Sequence, residues 1–170
     1  MIHLYTGCGQ GKTSAAVGLA ARSLGHGRRV VFAQFLKGGP SGEIDSLRAL
    51  GAMVLRAPRH DFWWNLGPCE KAAVARENDE LIGLVLERCR SESPPDLVVL
   101  DEFTYVNNTP MADENLAALL VKELARRRIE AVFTGREAGG LAEIADYHSD
   151  ISEVRHPSSI GCPPREGVEF

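Results

Sequence analysis

Residues Thr6-Gly7-Cys8-Gly9-Gln10-Gly11-Lys12-Thr13 place three glycines, a lysine and two hydroxyls within eight positions. They follow a short apolar strand signal, Ile2-His3-Leu4-Tyr5, and lead into a helical pattern. A phosphate-binding P-loop needs that strand, glycine-rich loop and helix context. Glycines let successive backbone N–H groups turn inward around an anion. The start of the helix adds unpaired donors and partial positive charge. Lys12 supplies a mobile cation, and the Thr13 hydroxyl can hold a magnesium ion. The usual pattern opens with glycine, and here that place holds Thr6. The loop is therefore predicted to bind phosphate with an altered mouth, a hint that the triphosphate is used in an unusual way.

A second signal is Leu97-Val98-Val99-Leu100-Asp101-Glu102, an apolar strand ending in acidic residues. Ligands bind at the carboxyl ends of parallel strands, and there Asp101 or Glu102 can reach a magnesium ion, directly or through water. Thr134-Gly135-Arg136 closes another apolar strand at the same expected edge. Arg136 reads either as a surface arginine after a turn or as a cation facing the triphosphate, and Lys37 carries the same two readings. Phe62-Trp63-Trp64 holds both tryptophans in an irregular segment. Such aromatics either cover the core or form a wall for a large flat ligand. In an extended loop Phe62 and Trp64 would share a side, with Trp63 facing away. Arg126-Arg127-Arg128 is expected to be solvated and to offset a helix dipole. The five histidines form no nucleophile–base set, and Tyr147-His148-Ser149-Asp150 reads as structural.

The elements that must position these groups alternate between strand-like and helical runs, which predicts an α/β fold with a mostly parallel sheet. After the loop, Val17, Ala20, Ala21 and Leu24 share a helical face, and Gly25 ends that helix. Strands are predicted at 29–34 and 52–56, with a glycine-rich loop from Lys37 to Gly42 and a short helix over 43–50 between them. The longest helix is placed at 70–89, with Val74, Leu81, Val85 and Cys89 as its apolar stripe. Strands follow at 96–100 and 129–134, separated by a helix carrying Leu116, Leu119, Leu120 and Leu124 with Asp113 as N-cap. A small helix near Leu141 and a last strand at 149–154 precede an irregular tail.

At 170 residues the chain suits a single domain spanning 1–170. A net charge of -4 argues against a broad nucleic-acid surface, which needs a basic excess. Cys8, Cys69, Cys89 and Cys162 form no C-x-x-C pair, which favours free thiols in a reducing compartment. No apolar run approaches the roughly 18 residues of a membrane span, and the sequence enters its first strand at once. The expectation is a cytoplasmic protein.

Taken together, the motifs identify a resemblance to the ATP:corrinoid adenosyltransferases of the P-loop type. It runs nearly end to end: the loop from Thr6 to Thr13, Gln34-Phe35-Leu36-Lys37-Gly38 with Gly42-Glu43, Phe62-Trp63-Trp64, Val99-Leu100-Asp101-Glu102, Phe133-Thr134-Gly135-Arg136, Glu143-Ile144-Ala145-Asp146, Arg155-His156-Pro157 and the terminal Glu166-Gly167-Val168-Glu169-Phe170. Family loops read Gly-Asn-Gly-Lys-Gly-Lys; here Cys8 and Gln10 replace the asparagine and one lysine. The resemblance implies a RecA-like P-loop NTPase fold and transfer of the 5′-deoxyadenosyl group of ATP to the Co(I) centre of a reduced corrinoid, with loss of the whole triphosphate, in B12 coenzyme synthesis or salvage. The nucleotide would lie in the loop in the reverse sense to most P-loop enzymes. Expected ATP contacts are Thr6, Gly7, Cys8, Gly9, Gln10, Gly11, Lys12, Thr13, Ser14, Lys37 and Arg136. Expected Mg2+ ligands are Thr13, Asp101 and Glu102, and the expected catalytic set is Lys12, Phe62, Trp64 and Glu102. By the same resemblance Phe62 and Trp64 press on the lower face of the corrin, a flavoprotein donates electrons, and the protein is a homodimer. Nucleic acid and membrane are not expected partners.

Two other classes stay open. Lys12, Thr13 and Asp101-Glu102 suit a conventional P-loop kinase or ATPase equally well, though no base or water-positioning residue is identifiable near a γ-phosphate. The other is a non-catalytic ATP-dependent module, such as a corrinoid carrier or a RecA-like nucleic-acid binder.

Overall fold

Strands buried along nearly their whole length must be covered on both faces, and three strands here are of that kind. A computed structural model describes residues 1–58 and 63–168. In it β2 (Val30–Gln34), β4 (Leu97–Asp101) and β5 (Glu130–Thr134) are buried almost throughout. With β1 (Ile2–Thr6), β3 (Met53–Arg56) and β6 (Tyr147–Asp150) they form a six-stranded sheet in the order β3-β2-β4-β5-β1-β6. Every pairing is parallel, so each connection must cross over the sheet. The strands therefore present all their carboxyl ends along one edge, where connecting loops gather.

Alternation along the strands divides the core in two. Val98 and Leu100 of β4 face a layer with Leu81, Ile82, Val85 and Leu86 of α3 (Pro68–Arg90) and Leu120 and Leu124 of α5 (Glu114–Arg127). Leu97 and Val99 face α1 (Lys12–Gly25) and α2 (Gly42–Ala49), through Ala16, Ala20, Ile44 and Leu47. Only small side chains, Ala16 and Ala20, are buried from α1, which lets the helix behind the P-loop lie close to the sheet. Asp113 caps α5, its carboxylate accepting from the amides of Asn115 (2.7 Å) and Leu116 (3.1 Å).

Three elements depart from the sequence expectation. The last strand is Tyr147–Asp150, not 149–154; it is an exposed, polar edge strand and carries no apolar alternation to mark it. A six-residue helix, α4 (Phe103–Asn108), follows Glu102 directly and was not expected. On α5, Leu119 is exposed although it was counted with the apolar stripe, because the buried face runs through Ala117, Leu120, Val121 and Leu124. No helix among the described residues is long and apolar enough to cross a membrane.

Candidate functional site

Under the carboxyl edge of the sheet lie three fully buried rings, Phe35, Phe103 and Phe133, with Phe103 5.5 Å from Phe35 and 5.4 Å from Phe133. They fix the ends of β2, β4 and β5, and three polar residues emerge directly from that floor: Gln34, Asp101 and Thr134. All three are buried. Because β4 sits between β2 and β5, Asp101 is the natural centre of the group.

The Asp101 carboxylate accepts from four donors. Thr13 Oγ1 (2.9 Å) and Thr134 Oγ1 (2.7 Å) donate to Oδ1. Gln34 Nε2 (3.0 Å) and Lys37 Nζ (3.2 Å) donate to Oδ2. Such saturation is what a buried carboxylate requires. Each donor is itself held. Thr134 Oγ1 accepts from the Glu102 amide at 2.9 Å, and Gln34 Oε1 accepts from Arg56 Nε at 3.0 Å. The Arg56 guanidinium also donates to the Lys37 carbonyl. Lys37 Nζ further donates to Thr13 Oγ1 at 3.0 Å and pairs with Glu102 Oε1 at 2.8 Å. Burial alone would lower the Lys37 pKa, but the Asp101 and Glu102 carboxylates outweigh it and hold the ammonium above its ordinary value. Glu102 adopts a left-handed backbone, φ 60°, which costs a non-glycine residue free energy and is found where a site demands it. That turn separates the two acidic side chains: Asp101 goes under the sheet edge, and Glu102 lines the open cleft.

The P-loop is braced from behind. The Gly7 amide donates to the Arg136 carbonyl (3.0 Å) and the Gly9 amide to the Ile151 carbonyl (2.8 Å). Gly7 has φ 109°, and a Cβ there would lie 2.3 Å from the Ile151 oxygen, so only glycine fits. Lys12 Nζ spans the loop, donating to the carbonyls of Gly7 (2.8 Å) and Gly9 (2.6 Å). Thr6 lies outside the cleft lining: it is buried, and its hydroxyl is hydrogen-bonded to His148 Nε2 at 2.8 Å, tying β1 to β6.

The cleft above has a volume of about 1670 Å³. Cys8, Gly9, Gln10, Gly11, Lys12, Thr13 and Ser14 line it together with Lys37, Glu102 and Arg136. Trp63, Trp64, Leu66, Val74, Asn78, Tyr105 and Met111 line it too. Trp63 and Trp64 belong to a 3-10 turn, Trp63–Asn65, where successive side chains diverge by about a third of a turn. The alternation expected of an extended loop therefore does not apply, and both tryptophans border the cleft. Trp63 also carries Lys71 Nζ 5.4 Å from its ring centroid, within cation–π range. Phe62 lies outside the described residues.

Gln34, Arg56 and Thr134 have no role assigned from sequence, whereas His148, read as structural, ties β6 to β1. The signal for two of them was present: Gln34 and Thr134, like Asp101, are polar ends of buried apolar strands.

A divalent cation would find a suitable place here. Among the described residues no group of three His, Cys, Asp or Glu side chains converges as a metal cage. Magnesium, however, is usually held by one or two carboxylates with a substrate's phosphates. The Thr13 hydroxyl and the Glu102 carboxylate are hard oxygen donors beside the loop, and the Lys37 ammonium lies between them.

Over residues 1–170 the chain matches the family described as ATP:corrinoid adenosyltransferase BtuR/CobO/CobP. It is 31% identical to a corrinoid adenosyltransferase of Escherichia coli (strain K12), covering 100% of this chain and 85% of the relative. The corrinoid adenosyltransferase CobA of Salmonella typhimurium is 30% identical, with the same coverage. A corrinoid adenosyltransferase of Pseudomonas aeruginosa is 32% identical over 98% of this chain and 82% of the relative.

Proposed function

This chain belongs to the ATP:corrinoid adenosyltransferase family, and from that premise we propose that it joins C5′ of ATP to the Co(I) centre of a reduced corrinoid and releases the triphosphate whole. As a member it is an enzyme, a transferase whose substrates are ATP and a corrinoid.

In the proposed step the Co(I) lone pair forms the new Co–C bond while the C5′–O bond breaks. Both electrons of that bond leave with the triphosphate, and cobalt is formally oxidised to Co(III). Cobalt brings its own electron pair, so no general base is needed. The charge that grows on the departing oxygen calls for fixed donors and cations. Lys12, Lys37 and Arg136 supply the cations, with the loop amides around them. A magnesium ion held by Thr13 and Glu102 would neutralise further charge on the same group, while Asp101 orients the Thr13 hydroxyl. Lys12 and Glu102, with Phe62 and Trp64 by family likeness, form the catalytic set of this proposal.

The observation that carries the reading is the size and lining of the cleft. About 1670 Å³ exceeds the roughly 300–1,000 Å³ usual for one small ligand. The phosphate loop and the two tryptophans border the same space, as a nucleotide and a broad apolar ring would require. The family likeness alone motivates the remaining parts: a reduced flavoprotein as electron donor, a homodimer as the working form, and a place in B12 coenzyme synthesis or salvage.

Incubation with ATP, magnesium and chemically reduced cobinamide or cobalamin is expected to yield a light-sensitive alkylcobalt product and one inorganic triphosphate per turnover. Release of ADP and phosphate would move the chain to the phosphoryl-transfer class. Trp64 is 71% exposed, so Trp64→Ala should leave the fold intact, within about 0.5 kcal/mol. It is expected to depress activity several-fold more with Co(II) corrinoid plus reductant than with pre-reduced Co(I). Parallel loss of stability and of both activities would mark the tryptophan as packing only.

A further inference from the structure

Lys37 reaches into the place that the proposed chemistry gives to a metal. Its ammonium lies 3.0 Å from Thr13 Oγ1, 3.2 Å from Asp101 Oδ2 and 2.8 Å from Glu102 Oε1. The backbone is shaped to put it there. Leu36, just after β2, takes a left-handed φ of 62°, unusual for a leucine, and the Arg56 guanidinium holds the Lys37 carbonyl. With the main chain pinned, the side chain can still move by rotation alone. It is 40% exposed and borders the cleft that also holds Lys12 and Arg136.

We propose that Lys37 and a divalent cation are alternative occupants of one oxygen bay, so that the protein takes up the metal together with the nucleotide and not before it. The inference rests on the metal reading of Thr13 and Glu102 given above. Magnesium sits about 2.0–2.1 Å from its oxygen ligands, so a metal held by both Thr13 Oγ1 and Glu102 Oε1 would lie against the ammonium that already bridges them. Two cations at that spacing also repel. Expelling Lys37 for a bare metal would strip the ammonium of both carboxylates. A triphosphate removes that obstacle, because its oxygens receive the displaced ammonium as the metal enters. The exchange then keeps every charge partnered, and Lys37 finishes on the group that leaves.

Water-proton relaxation enhancement by Mn2+ tests this on the full chain, in wild type and in Lys37→Met, with and without ATP. Wild type is expected to show little enhancement with Mn2+ alone and strong enhancement with Mn2+ and ATP. Lys37→Met, which removes the ammonium that neutralises Asp101 and Glu102, is expected to bind free Mn2+ about tenfold or more tightly than wild type. Equal affinity for free Mn2+ in the two proteins, with normal enhancement in the presence of ATP, overturns the exchange and leaves the metal assignment standing. Absence of enhancement with ATP in wild type removes the metal assignment, and the exchange with it. Lys37→Gln serves if the methionine variant does not fold. Wild type also decides alone, since tight binding of Mn2+ without nucleotide contradicts the proposal.

Discussion

Lys12→Ala is expected to lower kcat by about 10²–10³-fold, the usual cost of deleting one preorganised donor at a site of developing charge. The Lys12 ammonium already has partners in the Gly7 and Gly9 carbonyls, at 2.8 and 2.6 Å. A ground-state phosphate therefore gains from it only what those carbonyls give up. The departing triphosphate carries more charge than bound ATP and draws the ammonium more strongly. The loss should fall on kcat as well as on ATP affinity, because the variant also removes the strut across the loop. Single-turnover rates with pre-reduced corrinoid and direct ATP binding separate the two effects. A kcat within about tenfold of wild type, with weakened ATP binding, would reduce Lys12 to a loop brace.

Asp101→Ala is expected to destabilise the fold by about 3 kcal/mol, the lower end of what breaking a buried ion pair costs. In a chain of this length that is a fall in Tm of about 6–12 °C. The carboxylate gathers Thr13, Thr134, Gln34 and Lys37, and its loss leaves buried donors without acceptors. Asp101→Asn should help little. Its one oxygen can serve Gln34 Nε2 and Lys37 Nζ only if its amide nitrogen turns to the Thr13 and Thr134 hydroxyls, which then lose their acceptor, and the charge that partners Lys37 is lost either way. Glu102→Gln, at a residue bordering the open cleft, should change Tm by less than about 2 °C while impairing turnover. Thermal denaturation of the three variants checks the order, and a Tm for Asp101→Ala within about 2 °C of wild type would refute the network's structural role.

The site could be read from sequence where chemistry is local. Gly7, Gly9, Gly11, Lys12 and Thr13 lie on one continuous turn, and Asp101 ends the strand that announces it, so spacing alone exposed both. What spacing cannot carry is lateral order. Gln34 and Thr134 have the same polar-end signature as Asp101, but only the sequence of strands β2-β4-β5 brings the three together. Lys37 was visible as a loop cation, whereas its direction depends on a left-handed leucine, which no residue preference foretells. The edge strand Tyr147–Asp150 pairs with β1 through its backbone while all four of its residues remain exposed, so the hydrophobic period that marks other strands is missing. The tryptophan turn was hidden for a different reason. Alternation belongs to extended chain, and three residues of 3-10 geometry were enough to cancel it.

The bracing of the phosphate loop bears on which changes to the gene the enzyme can survive. Gly7 and Gly9 meet main-chain atoms of Ile151 and Ser152, and Ile151 donates its own amide back to the Thr6 carbonyl at 2.8 Å. Contacts of this kind ignore side-chain identity. Codon substitutions at 151 and 152 should be widely tolerated, so this stretch can drift in sequence among relatives without cost to the loop. A single-codon insertion or deletion between Asp150 and Ser152 is another matter: it would move the carbonyl that the loop leans on and disable a site more than a hundred residues away in the reading frame.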